Sequence, residues 1–294
     1  MHAISQCDSA LTEHVKAVVC EDGYRLRYRV WPAAGVSAGN FVLVNGMMSH
    51  SAWFRQLAHH LTELQLNVVG ADRRGSGMNP RDRGDAPSRQ MLLSDFRRII
   101  ESESLSEPIY LAGWCWGALP AVNLALELGQ KLSGLVLLAP GLFPSPKIKR
   151  AAQQELAAGQ DVGIQSAVLR SPLTAEMFSD RTDVWEFILN DRLAQHLFTP
   201  RFFRISCELW LIATLRLTQL TQPVLLLLAA NDETADNERT LRAFQQLPKT
   251  AVSTATLDCH HGMQFETPEG IAGLVSEWLQ YQSGWQLCRP ESIR

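Results

Sequence analysis

The sequence shows few clustered cations, long apolar runs or paired cysteines, and its opening does not read as a secretory signal; each shortage lowers the expectation of a class of function. With 27 Lys+Arg against 30 Asp+Glu, a formal net charge of −3 and no long basic run, there is no electrostatic case for sequence-independent nucleic-acid binding. Arg97-Arg98 reads as solvated surface, and Arg73-Arg74 as surface or structural ion-pair residues. The most apolar stretch, Glu208 to Asn231, is broken by Arg216 and Pro223 and falls short of the roughly 20 apolar residues of a membrane-spanning helix. The opening MHAISQCDSALTEHVK has no basic region leading into an apolar one, so a cytoplasmic protein is expected. Six cysteines (7, 20, 115, 207, 259, 288) include no C-x-x-C pair and are too sparse for a disulfide scaffold. Cys259 adjoins His260 and His261, but no second cluster matches it, so no metal site is expected.

What is present is a globular composition, 46% hydrophobic with 19 Gly and 14 Pro. It is long enough for one large α/β domain carrying an insertion. Residues 24–32 alternate polar and apolar like a half-exposed antiparallel strand. FVLVNG (41–46), NVVGAD (67–72), PIYLAG (108–113), LSGLVLLA (132–139), QPVLLLLAA (222–230) and AVSTATL (251–257) read as further strands. Helical spacing appears between several of them, as in SAWFRQLAHHLTEL (51–64), and a last helix covers 267–281. Alternation of β and α with apolar strands calls for a mostly parallel, doubly wound sheet covered on both faces. Residues 144–220 break the rhythm. They contain no comparable strand but show helical periodicity over 147–160, 183–197 and 200–217. The expected organisation is a core of 1–143 and 221–294 with a helical lid at 144–220.

One segment carries most of the chemistry. In PIYLAGWCWGALPAVNLALEL a strand runs into Gly113-Trp114-Cys115-Trp116-Gly117 and then a helix, the context of a nucleophile elbow with small residues two positions either side of the reactive one. The helix N-terminus that follows favours an anion. An acid and a histidine then follow in the order the motif requires. Asp232 comes just past a strand end, with Asp236 one helical turn further. His260 and His261 both follow the final strand, and the five-residue spacing to Glu266 favours His261. Asp258 reads as structural. Early in the chain, Val44-Asn45-Gly46-Met47 follows a strand, where a second oxyanion-binding amide should arise.

With these parts the chain resembles the α/β-hydrolase fold family, and within it the monoacylglycerol lipase or lysophospholipase-like branch. The resemblance covers roughly residues 24–282: ADRRGSGMN (71–79) is similar to the family's Asp-x-Arg-Gly-x-Gly element, MFSDRTDVWEFILNDRLAQHLFTPRFF to its lid, NDETADNERT (231–240) to its acid loop and HHGMQFE (260–266) to its His loop. It implies Cys115 as nucleophile, His261 as general base and acid, Asp232 as orienting acid, and the backbone N–H groups of Met47 and Trp116 as oxyanion hole. Two departures stand out. Cys115 replaces the usual Ser, and Asn45 replaces the His of the usual His-Gly.

A cysteine shifts the expected substrate toward thioesters, because a thiolate readily exchanges with another thiolate. The expectation is a two-step enzyme acting through an acyl-cysteine on an ester or thioester, with coenzyme A and carrier-protein thioesters among the candidate donors and with no cofactor. Asn45, Met48, Trp53 and Trp114 are candidates for an acyl pocket, though such residues commonly form plain core. The rival expectation is a non-catalytic relic that holds a hydrophobic ligand.

Overall fold

The apolar runs become the centre of a single sheet. A computed structural model describes residues 11–103, 108–160, 168–248 and 251–283; Cys7, Cys288 and most of the opening segment discussed above lie outside them. The strands are β1 (His14–Val19), β2 (Arg25–Trp31), β3 (Gly39–Val44), β4 (Leu66–Ala71), β5 (Ile109–Trp114), β6 (Gly134–Leu138), β7 (Leu169–Arg170), β8 (Leu197–Phe198), β9 (Val224–Ala229) and β10 (Val252–Leu257). Eight of them form one sheet in the order β1-β2-β4-β3-β5-β6-β9-β10, and β7 pairs with β8 apart from it. From β4 to β10 the neighbours are parallel, whereas β2 is antiparallel to β1 and β4.

Burial follows position in the sheet. Every residue of β3, β6 and β9 is buried, as strands covered on both faces require. Edge strand β10 alternates half-buried with exposed residues near its end, and edge strand β1 is nearly all exposed. The antiparallel edge strand β1 was not anticipated from the sequence. Its residues HVKAVV show too little burial to imprint a pattern.

The helices are α1 (Arg55–Glu63), α2 (Arg89–Ser102), α3 (Ala118–Leu128), α4 (Pro146–Gln160), α5 (Thr182–Asn190), α6 (Pro200–Leu215), α7 (Asn237–Phe244), α8 (Met263–Glu266) and α9 (Pro268–Ser283). Side chains fix several starts. Ser88 accepts from Met91 N–H at α2, Thr199 from Phe202 N–H at α6, and Asp236 from Arg239 N–H at α7, each satisfying a first-turn donor. Among the described residues no helix is long and apolar enough to cross a membrane.

Between β6 and β9 run α4, α5 and α6 with the β7–β8 pair. The helix expected over 183–197 stops at Asn190. Asp191 is extended there, its Oδ1 accepts from Leu193 N–H, and its Oδ2 accepts from the Trp53 indole at 2.6 Å. Local and long-range bonds to this one carboxylate outcompete another helical turn. The segment beyond it reaches β8 instead.

Candidate active site

The site collects at the carboxyl ends of β3, β5, β9 and β10, beside the crevice between β3 and β5, whose onward connections to β4 and β6 run in opposite directions; α/β sheets bind ligands at such points. After β5 the chain turns sharply. Cys115 takes φ +55°, a left-handed conformation costly for a residue with a Cβ. The turn survives because its flanks are small. A Cβ on Gly113 would lie 2.6 Å from the Gly117 carbonyl oxygen, and one on Gly117 would collide with the Val44 carbonyl. Cys115 then opens a 3₁₀ turn that leads into α3, and is 7% exposed.

The loop after β3 sits directly against this turn. A Cβ added to Gly46 would be 3.2 Å from the Cys115 Cβ and 2.9 Å from the Trp114 ring, so a larger residue at 46 would have to push that ring aside. Asn45 is buried and donates through Nδ2 to the carbonyls of Ser49 (2.5 Å) and Gly46 (3.3 Å). It thereby ties the loop to itself. Met47, half-buried, offers its carbonyl to Arg73 Nη2 at 2.7 Å.

Past β9, Asp232 accepts through Oδ1 from Thr234 N–H (2.7 Å), Thr234 Oγ1 (2.8 Å) and Ala235 N–H (3.1 Å). Its Oδ2 lies 2.8 Å from His261 Nδ1, with both side chains fully shielded. Burial works to raise the Asp232 pKa, but the His261 charge and these donors outweigh it and hold it below the ordinary carboxylate value. Burial likewise pulls the His261 pKa down, while Asp232 and Cys115 push it up to about 10. His261 Nε2 makes no hydrogen bond of ordinary geometry among the described residues, yet the Cys115 sulfur is close enough to act on the ring. With Nδ1–H committed to Asp232, Nε2 is the nitrogen left for proton transfer.

The histidine is also walled in. Its ring lies 5.3 Å from that of Trp114 and 5.6 Å from that of Phe178. The Trp114 indole donates to the His261 carbonyl at 3.0 Å, and Gly262 N–H to the Phe178 carbonyl at 2.8 Å. Phe178 belongs to the segment between β6 and β9, so that segment closes over the histidine loop.

Glu266 behaves differently from the sequence expectation. The spacing that favoured His261 serves His260: Glu266 accepts from His260 N–H at 2.7 Å and lies 3.1 Å from its Nδ1. His261 is selected by Asp232 instead. Asp236 is the cap of α7, and Asp258 bonds Asn231 at 3.1 Å. Asp180, His260 and Glu266 group their ligand atoms within 4.8 Å, and Cys259 takes no part; burial first, then nearby carboxylates, pushes its thiol up to about 12.

The aromatic residues near the elbow are engaged in packing. Trp53 is surrounded by Trp114, Phe178, Phe187 and Phe265, with ring centroids 5.5–6.1 Å away. Trp116 stacks on Phe202 at 5.2 Å and donates to Ser206 Oγ at 3.0 Å. Met48 is buried, its carbonyl accepting from Gln195 N–H at 2.8 Å. Thr234 was missed from the sequence, where a Thr two residues after an acid carries no distinguishing signal. Its hydroxyl is 2.8 Å from both Asp232 Oδ1 and His261 Nδ1.

Comparison with known proteins agrees with this fold. Two curated relatives are an uncharacterized abhydrolase domain-containing protein of Dictyostelium discoideum and the monoglyceride lipase of Mus musculus. The first is 20% identical over 92% of this chain but only 29% of its own length. The second is 26% identical over 44% of each chain. The chain thus spans less than half the length of these relatives. Among solved structures, a monoacylglycerol lipase from Paleococcus ferrophilus superposes with TM-score 0.75 at 22% identity, over 94% of this chain and 100% of that one. A soluble variant of the Saccharomyces cerevisiae monoglyceride lipase gives TM-score 0.81 at 13% identity, over 94% and 97%. The profile of Hydrolase_4, described as serine aminopeptidase, S33, matches residues 36–268. The chain belongs to this Hydrolase_4 family and has the α/β-hydrolase fold.

Proposed function

We propose that this protein is a cysteine-dependent acyl-transfer enzyme, a thioesterase or acyltransferase, working through an S-acyl intermediate on Cys115. The observation that carries the reading is the line Asp232–His261–Cys115, with the acid 2.8 Å from His261 Nδ1 and Cys115 close enough to help raise the His261 pKa. Such a line can hold a thiolate beside an imidazolium, the pair needed for a thiol to attack.

In the first half-reaction Cys115 Sγ attacks the acyl carbonyl. A new C–S bond forms and the carbonyl electron pair moves to oxygen, which the N–H groups of Met47 and Trp116 bind. Each such donor contributes on the order of 3 kcal/mol in a water-poor site. Collapse breaks the bond to the leaving group, which departs with the proton from His261 Nε2. In the second half His261 takes a proton from water, an alcohol or an amine as it attacks the thioester carbon. Cys115 then leaves as thiolate, and the starting ion pair is restored. A thiolate leaving group suits this scheme better than an alkoxide, because it needs little protonation. That favours thioesters, including coenzyme A or carrier-protein donors.

Residues 144–220 act as the lid in this reading. Their supporting contact is Phe178 over the histidine loop, which limits water at the acyl-enzyme. Iodoacetamide alkylation with peptide mapping tests the proposal. Cys115 is expected to react faster than Cys207 despite its burial, and His261→Ala to remove that advantage. Equal rates in wild type and His261→Ala contradict it.

A further inference from the structure

Two consecutive arginines after β4 meet opposite fates. Arg74 donates to both carboxylate oxygens of Asp95 (2.5 and 2.7 Å) and to Asp22 at 2.8 Å. Arg73 is equally buried, at 1% exposure, but no acid bonds it. Its Nη2 donates to the Met47 carbonyl at 2.7 Å, while Nε and Nη1 have no hydrogen-bond partner among the described residues. The neighbouring acid, Asp72, is already engaged by Ser51 N–H (2.6 Å), Met78 N–H (3.1 Å) and Arg29 (3.7 Å).

Around the guanidinium stand rings rather than anions: Phe202 at 4.9 Å, Trp116 at 5.4 Å and Phe198 at 5.7 Å. Cation–π contacts compensate a buried charge only in part. Burial lowers the Arg73 pKa to about 9, the nearby Asp72 charge working against it and Arg83 adding to it. More unpartnered atoms adjoin the same loop. Ser49 Oγ and Gln195 Oε1 are buried without partners among the described residues, and Gln195 N–H holds the Met48 carbonyl. Phe198 and Gln195, with Arg83, also line an adjoining cavity of about 420 Å³.

A charge left this uncompensated is expensive unless something else pairs with it. Arg73 touches Met47 through its carbonyl and Trp116 through its ring, the two residues assigned above to the oxyanion hole. A group bonded to its free donors would sit beside the loop and the turn that carry these two residues, which suits the acyl part of a substrate better than a distant carrier. We propose that Arg73 anchors a carboxylate-binding subsite next to Cys115, and that the preferred acyl group bears a second carboxylate. The inference rests on the acyl-transfer reading, and its test separates the two.

The experiment compares glutaryl and pentanoyl thioesters of N-acetylcysteamine on wild type, Arg73→Met and Arg73→Lys. Wild type is expected to favour the glutaryl thioester at least about tenfold in kcat/KM, as hydrogen-bonded recognition of a polar group allows. Arg73→Met should erase that ratio, and Arg73→Lys, which keeps charge but not the planar fork, should reduce it. A wild-type ratio near one overturns the proposal without need of any variant. Proportional loss on both thioesters, leaving the ratio intact, also overturns it and makes Arg73 a support of the Met47 loop.

Calorimetric binding of free glutarate to the same proteins is read independently of turnover. If no thioester reacts, the acyl-transfer reading fails, yet wild-type binding weakened at least about tenfold in Arg73→Met still supports the carboxylate site. Binding that is absent or equal in the two overturns it. Inorganic phosphate displacing glutarate with equal affinity overturns the assignment of a carboxylate specifically.

Discussion

Cys115 sits in the left-handed region at φ +55°, and the turn that holds it there depends on what its neighbours lack. Gly117→Ala puts a methyl group against the Val44 carbonyl. The variant is expected to lose about 2–4 kcal/mol in denaturant unfolding and to lose Cys115 reactivity with it. The paired Asp232 and His261 make a second residue-scale prediction. His261 is raised from 6.5 to about 10, so the folded state holds its proton more tightly than the unfolded chain. That contribution is fully present below pH 6.5 and disappears as pH rises toward about 10. The melting-temperature advantage of wild type over His261→Gln should therefore be widest at or below pH 6.5 and shrink across that interval. At this scale the sequence was informative where chemistry has a fixed order. The turn at Cys115, Asp232 and His261 each follow a strand end in the order expected, but the spacing to Glu266 that singled out His261 belongs to His260. The isolated charge of Arg73 could not be read from sequence, because Arg73 and Arg74 are identical letters and only packing assigns Asp22 and Asp95 to the second of them.

At the scale of elements, the segment between β6 and β9 is fastened by a few polar bonds made by its irregular part. Asp191 accepts from Trp53 Nε1 (2.6 Å) and lies 2.8 Å from His50 Nε2. Arg83 donates to the carbonyls of Leu193 and Ala194, and Asp85 bonds Thr199 and Arg201. Burial works to raise the Asp191 pKa, but His50 and Trp53 prevail and lower it from 3.8 to about 2. Its stabilising effect is present above pH 3.8 and lost as pH falls through about 2. Asp191→Asn should cost about 1–3 kcal/mol at neutral pH, the scale of a compromised buried charged hydrogen bond. The difference should narrow between pH 3.8 and about 2 in urea titrations. This fastening also explains why helical periodicity over 183–197 misled. The apolar spacing of Val184 and Ile188 is real and both are buried, but the carboxylate at 191 is claimed by residues far away in sequence. Periodicity carries no information about such a partner.

For the whole molecule, the sheet gathers residues from four strand ends onto one edge, and its own stability depends on joints remote from that edge. Arg74 joins the turn before β2 through Asp22 to α2 through Asp95. Burial raises the Asp95 pKa even against Arg74, so removing the cation leaves a carboxyl with no nearby charge to offset its desolvation. Arg74→Met is expected to destabilise by about 3–5 kcal/mol in equilibrium unfolding, in contrast to Arg73→Met, which removes a charge that no acid bonds. The architecture was readable because β3, β6 and β9 are buried throughout and, Asn40 apart, made of apolar residues and glycine, the mark of strands covered on both faces. Strand β1 was not, since an exposed edge leaves composition free.

The central claim is that Cys115 carries an acyl group. Intact-protein mass spectrometry after brief exposure to a panel of acyl thioesters, with wild type, Cys115→Ala and His261→Ala in parallel, addresses it directly. The account predicts a mass increase equal to one acyl group on wild type, mapped to Cys115, absent from Cys115→Ala and slow to form or decay in His261→Ala. An equal adduct on Cys115→Ala, or turnover unaffected by that substitution, contradicts it.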